Sequence, residues 1–168
     1  MKLCEKLLMR MKRIIETNFF CQSNHWSRRM IKIKNIVHSI HKIDNLGFEK
    51  KNIYFLNLIF IDDKTIKKIN KIYRNNNKVT DVLTFVKPLH NTNKMMEVYC
   101  DIFFSAETIK SDAKKNLISF YDHVTHLIIH CLLHVNGYDH KKNSDFIKMK
   151  NLEEKILIKL NIKSPYVL

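Results

Sequence analysis

The chain has 168 residues and a mass of 20.2 kDa, which suits one domain with a single core and is short for two. A hydrophobic content of 45% excludes a disordered chain, and the longest apolar run, residues 53–61, is too short to span a membrane. The formal net charge is +14, but only five of the 30 basic residues are Arg, and abundant Lys, Ile and Asn are what A+T-rich coding produces. Net charge alone therefore does not establish nucleic-acid binding.

Residues 1–12 are basic and lack an apolar stretch of signal-peptide length. We interpret them as a basic N-terminal extension, and residues 13–168 as a single domain. The four cysteines lie far apart with no Cys-x-x-Cys pair, which favours a reducing, cytoplasmic location over a disulfide framework.

The predicted elements begin with a strand over residues 13–22. Apolar residues then recur every three or four positions from Trp26 to Ile43, which predicts one amphipathic helix, and Gly47 follows where that helix should stop. Residues 52–62 are apolar at both odd and even positions, so we expect a strand that is covered on both faces.

The middle of the chain combines a short helix with two strands. Asp62 and Asp63 are expected to cap that helix. Its apolar residues share one side of the helix: Ile66, Ile69, Ile72 and Tyr73. Strands are predicted over residues 82–86 and 98–104, and Ser105 is expected to cap the helix that follows.

The last third of the chain predicts two further helices. A strongly apolar helix should run over residues 120–135 and stop at Gly137, and a final amphipathic helix should open at Ser144. Its expected buried stripe is Phe146, Met149, Leu152, Ile156 and Leu160. The element order predicts a single α+β domain, with a small mixed sheet of about four strands packed by helices.

The apolar helix carries a histidine pattern that indicates a metal site. His130 and His134 lie four residues apart on one helix face, and a positive φ at Gly137 would return His140 towards them. Three neutral imidazoles with an open fourth position form a catalytic zinc geometry, in which bound water has a pKa of about 7. The alternative is that these histidines are hydrogen-bonded core residues.

The pattern H-x-x-x-H-x-x-G-x-x-H has the ligand spacing of metzincin proteases, but it lacks their general base. Cys131 follows His130 where those enzymes have Glu. A protease is therefore the weakest of the hypotheses. We interpret Cys131 as a small buried residue, with an oxidation-sensitive neighbour of the site as the alternative.

A basic stripe on the short helix indicates a surface for phosphates, although a solvated helix face is the simpler alternative. The stripe contains Lys64, Lys67, Lys68, Lys71 and Arg74, and Lys78 would extend it if the helix continued. Arg74 is notable because Arg is rare in this chain and a guanidinium can grip a phosphate with two hydrogen bonds. An Arg clamp beside a metal suggests phosphodiester hydrolysis.

Several segments resemble the signature blocks of one family. HCLLHVNGYDH (130–140) resembles H-G-x-L-H-L-x-G-Y-D-H of the YbeY family of bacterial metal-dependent endoribonucleases. Residues 69–85 are similar to its N-x-x-Y-R and P-T-D-V-L-S-F blocks, residues 100–105 to its G-D-I-x-I-S strand, and Met149 with Glu153 to its M-x-x-x-E. The resemblance covers roughly residues 20–166 in consistent order.

The resemblance implies a zinc-dependent endoribonuclease that cleaves single-stranded rRNA, matures the 3′ end of small-subunit rRNA and serves ribosome quality control. It implies that His130, His134 and His140 bind one Zn²⁺ per chain, that His130 is also a catalytic residue, and that Arg74 acts at the substrate phosphate. The implied partners are rRNA in the small ribosomal subunit and, by the same resemblance, ribosomal proteins or assembly GTPases. No association with a membrane is expected.

Other polar residues have less defined roles. Lys64, Lys67, Lys71 and Lys78 are predicted to bind RNA, and Asp139 to orient a metal ligand. His126 is predicted either to orient the ligands in the same way or to be a hydrogen-bonded core residue. Thr80 and Asp81 should shape the start of a strand, or line the site; Asp101 should be structural and His123 a core residue. A non-enzymatic ribosome-assembly factor that binds RNA and a metal is the main alternative function.

Overall fold

The computed structural model describes residues 14–43, 46, 52–90, 96–140 and 142–163. The basic extension and Gly47 lie outside these residues. The strands are β1 (Ile14–Cys21), β2 (Ile53–Ile61), β3 (Val82–His90) and β4 (Met96–Ser105). The helices are α1 (Asn24–Ser27), α2 (Met30–His41), α3 (Asp63–Arg74), α4 (Ala106–Lys115), α5 (Phe120–Val135) and α6 (Asn143–Lys159).

The four strands form one mixed sheet in the order β1-β2-β4-β3. Strands β1, β2 and β4 are parallel neighbours, whereas β3 pairs antiparallel with β4 at the edge of the sheet. This arrangement confirms the predicted α+β domain with a small mixed sheet. It also places the edge strand β3 beside α5, where the histidines lie.

Most of the core lies on one face of the sheet. Alternate residues of β2 and β4, among them Leu58 and Ile102, pack there with the apolar sides of α2, α5 and α6. A smaller cluster on the other face packs Ile66 of α3 against Ile61 and Leu83. One face of strand β2 is therefore fully buried. Its other face is half-buried, except at Ile61 at the end of the strand, which packs against α3. The expectation of two fully covered faces was wrong.

The first predicted helix is divided in two. Trp26 belongs to the short α1, and its buried indole Nε1 donates to the carbonyl of Ile61, 2.9 Å away at the end of β2. Helix α2 begins only at Met30. The apolar periodicity predicted the buried side of this segment correctly. It could not predict that a tertiary hydrogen bond holds Trp26 in a separate turn.

Exposure corrects three further predictions. Ile72 and Tyr73, expected on the buried side of α3, are 72% and 68% exposed, and Phe146 of α6 is 43% exposed.

One of the two predicted helix caps differs from expectation. Ser105 does precede α4, but its hydroxyl hydrogen-bonds Asp63 instead of a helix N–H. The Asp62 cap is confirmed, since its carboxylate accepts from the Thr65 amide at 2.8 Å. None of the described helices is long and apolar enough to cross a membrane.

Candidate metal centre

The carboxyl end of α5 and the turn after it bring three imidazoles together. Gly137 has φ +82°, a conformation that favours glycine, and the chain reverses there. Tyr138 N–H donates to the carbonyl of Leu133 at 3.1 Å, which closes the helix end. The ring centroid of His140 is consequently 5.5 Å from that of His130 and 5.0 Å from that of His134.

The hydrogen bonds of the rings determine which nitrogen of each helical histidine carries a lone pair. His134 Nδ1 lies 2.9 Å from the carbonyl oxygen of Tyr138, which can only accept, so Nδ1 is the protonated nitrogen. His130 Nδ1 lies 2.7 Å from a carboxylate oxygen of Glu153 and donates likewise. Both Nε2 atoms therefore carry lone pairs, and they face each other at 3.0 Å.

Two lone pairs aimed at each other repel unless a cation lies between them. One ligand nitrogen from each of His130, His134 and His140 lies within 4.8 Å of the others, as a shared metal ion requires. Burial lowers the pKa of His134, and the neighbouring His130 acts in the same direction, so the neutral, ligating form is favoured. The donor set fits a metal ion held by three nitrogens.

Glu153 contacts one ring of this group, His130, together with the neighbouring His126, and the sequence reasoning gave it no role. Its carboxylate is fully buried on α6, and accepts from His130 Nδ1 at 2.7 Å and interacts with His126 Nε2 at 3.3 Å. Such carboxylate–histidine contacts fix the tautomer and orientation of a metal ligand. The available signal was an acidic residue within the buried stripe of α6, between Met149 and Ile156.

The two residues predicted to orient the ligands differ in placement. His126 Nε2 lies 3.3 Å from the Glu153 carboxylate that also accepts from His130, so the two rings share one carboxylate. Asp139 accepts from the backbone N–H of His140 at 2.8 Å and therefore shapes the turn that carries this ligand.

An open groove of about 800 Å³ joins the three histidines to Arg74. One wall is the edge strand β3 with the loop before it, and the other is the end of α5 with its turn. Arg74 Nη2 donates to the carbonyl of Thr84 at 3.0 Å, and the guanidinium carbon lies 5.4 Å from the centroid of the Phe85 ring. These contacts anchor the guanidinium while leaving other N–H groups for a ligand in the groove.

Comparisons with known proteins place the chain in a family. The family model described as Endoribonuclease YbeY matches residues 20–161. The chain belongs to the YbeY family. A Bartonella henselae protein named Endoribonuclease YbeY is 38% identical over 135 residues, which cover 80% of this chain and 81% of the relative.

Two further relatives carry the same name. One from Bartonella quintana is 43% identical over 112 residues, or 66% of this chain and 71% of the relative. One from Buchnera aphidicola is 33% identical over 159 residues, or 92% of this chain and 96% of the relative. A Thermotoga maritima protein solved in solution aligns with a TM-score of 0.44 and 21% identity, covering 92% of this chain and 97% of that one.

The lysines predicted to bind RNA are not equivalent in this YbeY chain. Lys64, Lys67 and Lys71 are exposed on α3 outside the groove, whereas Lys78 lines it. Helix α3 ends at Arg74, because Asn75 adopts a left-handed conformation, so Lys78 does not extend the helical stripe. Its loop is held in place by the buried Asn70, whose side chain donates to the carbonyl of Lys78 at 2.8 Å.

Two cysteines stand where the family signatures that this chain resembles have Gly, and both are accommodated in the core. Cys100 and Cys131 are both buried, and burial raises the pKa of Cys131 to about 12. The Cys131 thiol is therefore protonated at neutral pH, which supports a packing role and argues against an oxidation-sensitive neighbour of the site.

The remaining polar residues act mainly on local structure. The Asp81 carboxylate accepts from the Val82 amide at 2.8 Å and from the Thr80 hydroxyl at 3.0 Å, so both residues shape the start of β3. Thr80 also lines the groove. The Asp101 carboxylate on β4 accepts from the side chain of Asn57 on the neighbouring strand β2 at 2.8 Å, as expected for a structural residue.

Proposed function

We propose that this YbeY-family protein is a zinc-dependent endoribonuclease that cleaves single-stranded rRNA. The observation that carries the proposal is the shared groove: three convergent imidazoles and an anchored Arg74 line the same open cavity. The name Endoribonuclease YbeY of its relatives supports the same reaction class. The Cys131 position lacks the Glu that a metzincin-type protease uses as a general base.

His130, His134 and His140 would hold one zinc ion per chain through nitrogen atoms. When bound, zinc lowers the pKa of water to about 7 and so supplies a nucleophile at neutral pH. Glu153 keeps the proton of His130 on Nδ1, and the Tyr138 carbonyl does the same for His134. The protein thus presents two lone pairs to the metal without rearranging a proton.

Arg74 would bind the phosphate of the scissile bond. Its contact with Thr84 fixes the position of the guanidinium at the groove wall, and the free N–H groups can donate to two phosphate oxygens. The same donors would stabilise the additional negative charge of the transition state. An open groove suits an extended, unpaired strand, because a single strand can enter it along its length.

We infer that the biological substrate is small-subunit rRNA, with roles in maturation of its 3′ end and in ribosome quality control. The corresponding partners are the small ribosomal subunit and its proteins or assembly GTPases, in the cytoplasm. Support for these proposals comes from family membership and from the basic groove. Mapping rRNA 3′ ends in a depletion strain tests them, and mature ends in that strain would contradict the processing role.

Metal analysis tests the site directly. The wild type is expected to retain about one zinc per chain after dialysis, and His134→Ala to lose it, because two nitrogens hold zinc far less tightly than three. Inductively coupled plasma mass spectrometry gives the ratio. Metal-free wild type, or equal zinc in both proteins, would contradict the assigned ligands.

Cleavage kinetics test the role of Arg74. Arg74→Ala is expected to lower the single-turnover cleavage rate of unstructured rRNA by about 10²–10³-fold, the effect of removing one transition-state donor. Arg74→Lys should recover only part of that loss, since Lys provides charge without the paired donors.

The control for this experiment is Arg28→Ala, which removes an exposed Arg that does not line the groove. Equal rates for wild type and Arg74→Ala would exclude the phosphate clamp. If chelated and zinc-loaded wild type both bind rRNA and neither cleaves it, the non-enzymatic assembly factor is the better description.

A further inference from the structure

A second cluster of metal-ligating side chains lies near the start of α5. Its centre is His123, which is 7% exposed, and neither of its ring nitrogens has a hydrogen-bond partner among the described residues. An imidazole carries one donor and one acceptor, and leaving both buried and unpaired is costly. The surroundings of His123 therefore have to supply a ligand for this ring.

Two carboxylates lie beside this ring. One ligand atom from each of Asp81, Asp112 and His123 lies within 4.8 Å of the other two. The three residues come from different parts of the fold: Asp81 precedes β3, Asp112 belongs to α4, and His123 to α5. This cluster shares no residue with the His130, His134 and His140 group.

Each carboxylate has one oxygen already engaged. Asp81 Oδ1 accepts from the Val82 amide and the Thr80 hydroxyl, and Asp112 Oδ1 accepts from Lys115 Nζ at 3.1 Å. Neither carboxylate has a further hydrogen-bond partner within the described ranges, so each keeps lone pairs for a cation. The engaged oxygens fix the two carboxylates without occupying them.

A water molecule would satisfy the ring of His123 but not the charges around it. Two carboxylates this close repel each other, and the repulsion grows where the cluster is partly withdrawn from solvent. A divalent cation removes that repulsion and accepts the imidazole lone pair at the same time. Burial lowers the pKa of His123, although Asp81 and Asp112 act in the opposite direction, so the neutral, ligating form is favoured.

We propose that Asp81, Asp112 and His123 form a second divalent-cation site, separate from the three-histidine centre. Two carboxylate oxygens and one imidazole nitrogen suit a cation such as Mn²⁺, which prefers oxygen-rich ligand sets. His123 and His130 are seven residues apart on α5, a rise of roughly 10 Å, so the two sites are distinct.

The cation would connect the groove to the helices. Asp81 ends the loop that carries Lys78 and Thr80 along the groove wall, and the other two ligands lie on α4 and α5. A cation at this position fixes that loop relative to α5. Its role is to hold the wall of the groove, and it need not touch the substrate.

Manganese titration tests the site. Metal-free protein is titrated with Mn²⁺, and the decrease of the free-ion electron paramagnetic resonance signal reports binding. The wild type is expected to bind Mn²⁺ at a site that Asp112→Asn weakens by at least about tenfold, because each carboxylate ligand adds charge to the site. His140→Ala should retain this site, because it belongs to the other centre.

The matched control is Asp145→Asn, which removes another helical Asp that pairs with a Lys three residues ahead, Lys148, at 3.7 Å. It should bind Mn²⁺ like the wild type. Asp81→Asn is the second test, since an amide oxygen can still accept from the Val82 amide while the charge is lost. Circular dichroism verifies that each variant folds.

The proposal would be overturned if the wild type bound no Mn²⁺ at millimolar concentration. It would also be overturned if Asp112→Asn and Asp81→Asn both bound Mn²⁺ as tightly as the wild type, or if His140→Ala were the only variant that lost the site. The last result would assign the bound Mn²⁺ to the three-histidine centre. Failure of that centre is scored separately, by zinc content in His134→Ala, so the two proposals can fail independently.

Discussion

At the scale of single residues, one buried carboxylate organises the candidate metal centre. Glu153 has no exposed surface and contacts both His126 and His130. A buried carboxylate is costly unless its oxygens have polar partners, and the rings of His126 and His130 supply them. The consequence is that the proton of His130 stays on the nitrogen away from the metal.

Replacing that carboxylate by its neutral isostere should weaken the metal centre. We expect Glu153→Gln to reduce zinc affinity by about 10–100-fold, the usual effect of losing a hydrogen-bonded partner of a metal-ligating His. Competition with a chromophoric chelator measures the change. The physical reason is that an amide holds the Nδ1 proton of His130 less strongly, which lowers the basicity of Nε2.

The control replaces a carboxylate on the exposed side of β1. Glu16→Gln makes the same chemical change at an exposed site on β1, at the edge of the sheet opposite β3 and the histidines. It should leave zinc affinity unchanged. If Glu153→Gln binds zinc as tightly as the wild type, the carboxylate has only a structural role in the core.

At the scale of elements, the turn after α5 determines whether three ligands meet. His130 and His134 are placed by the helix period alone, but His140 reaches them only because the chain reverses at Gly137. An added Cβ at Gly137 would meet no atom within 4 Å. Any effect of a substitution there is therefore backbone strain and not a steric clash.

Substitutions at Gly137 should follow the tolerance of each residue for positive φ. Gly137→Ala is expected to lower the free energy of unfolding by about 1–2 kcal/mol, the cost of a left-handed conformation with a Cβ. Gly137→Asn should cost less, because Asn tolerates that conformation better. Urea denaturation measures both changes, and equal stability of all three proteins would show that the turn relaxes freely.

The elements also show what the sequence could and could not predict. The bounds of α5 and the α+β class follow from local patterns, because the helix is apolar and the turn signals surround it. The separation of α1 from α2 depends on a hydrogen bond between Trp26 and Ile61, 35 residues away. Likewise, Glu153 gains its role from contacts with His130 and His126 on α5, which lie 23 and 27 residues earlier in the chain.

At the scale of the whole molecule, the high positive charge separates into residues that face the groove and residues that do not. Composition favours Lys throughout, so the number of lysines says little about function. Their position is more informative, since Lys78 and Arg74 line the groove while Lys67 lies on the exposed side of α3. Only charges that contact phosphates release counterions when RNA binds.

The salt dependence of RNA binding should therefore distinguish the two lysines. Fluorescence anisotropy with a short single-stranded RNA, repeated at several salt concentrations, gives the slope of log affinity against log salt. Lys78→Gln is expected to reduce that slope by about 0.7, the loss of one phosphate contact to a single strand. Lys67→Gln removes the same formal charge from the molecule and should leave the slope unchanged. Equal reductions in both variants would mean that RNA responds to the total charge of the protein, and that the groove is not where the strand binds.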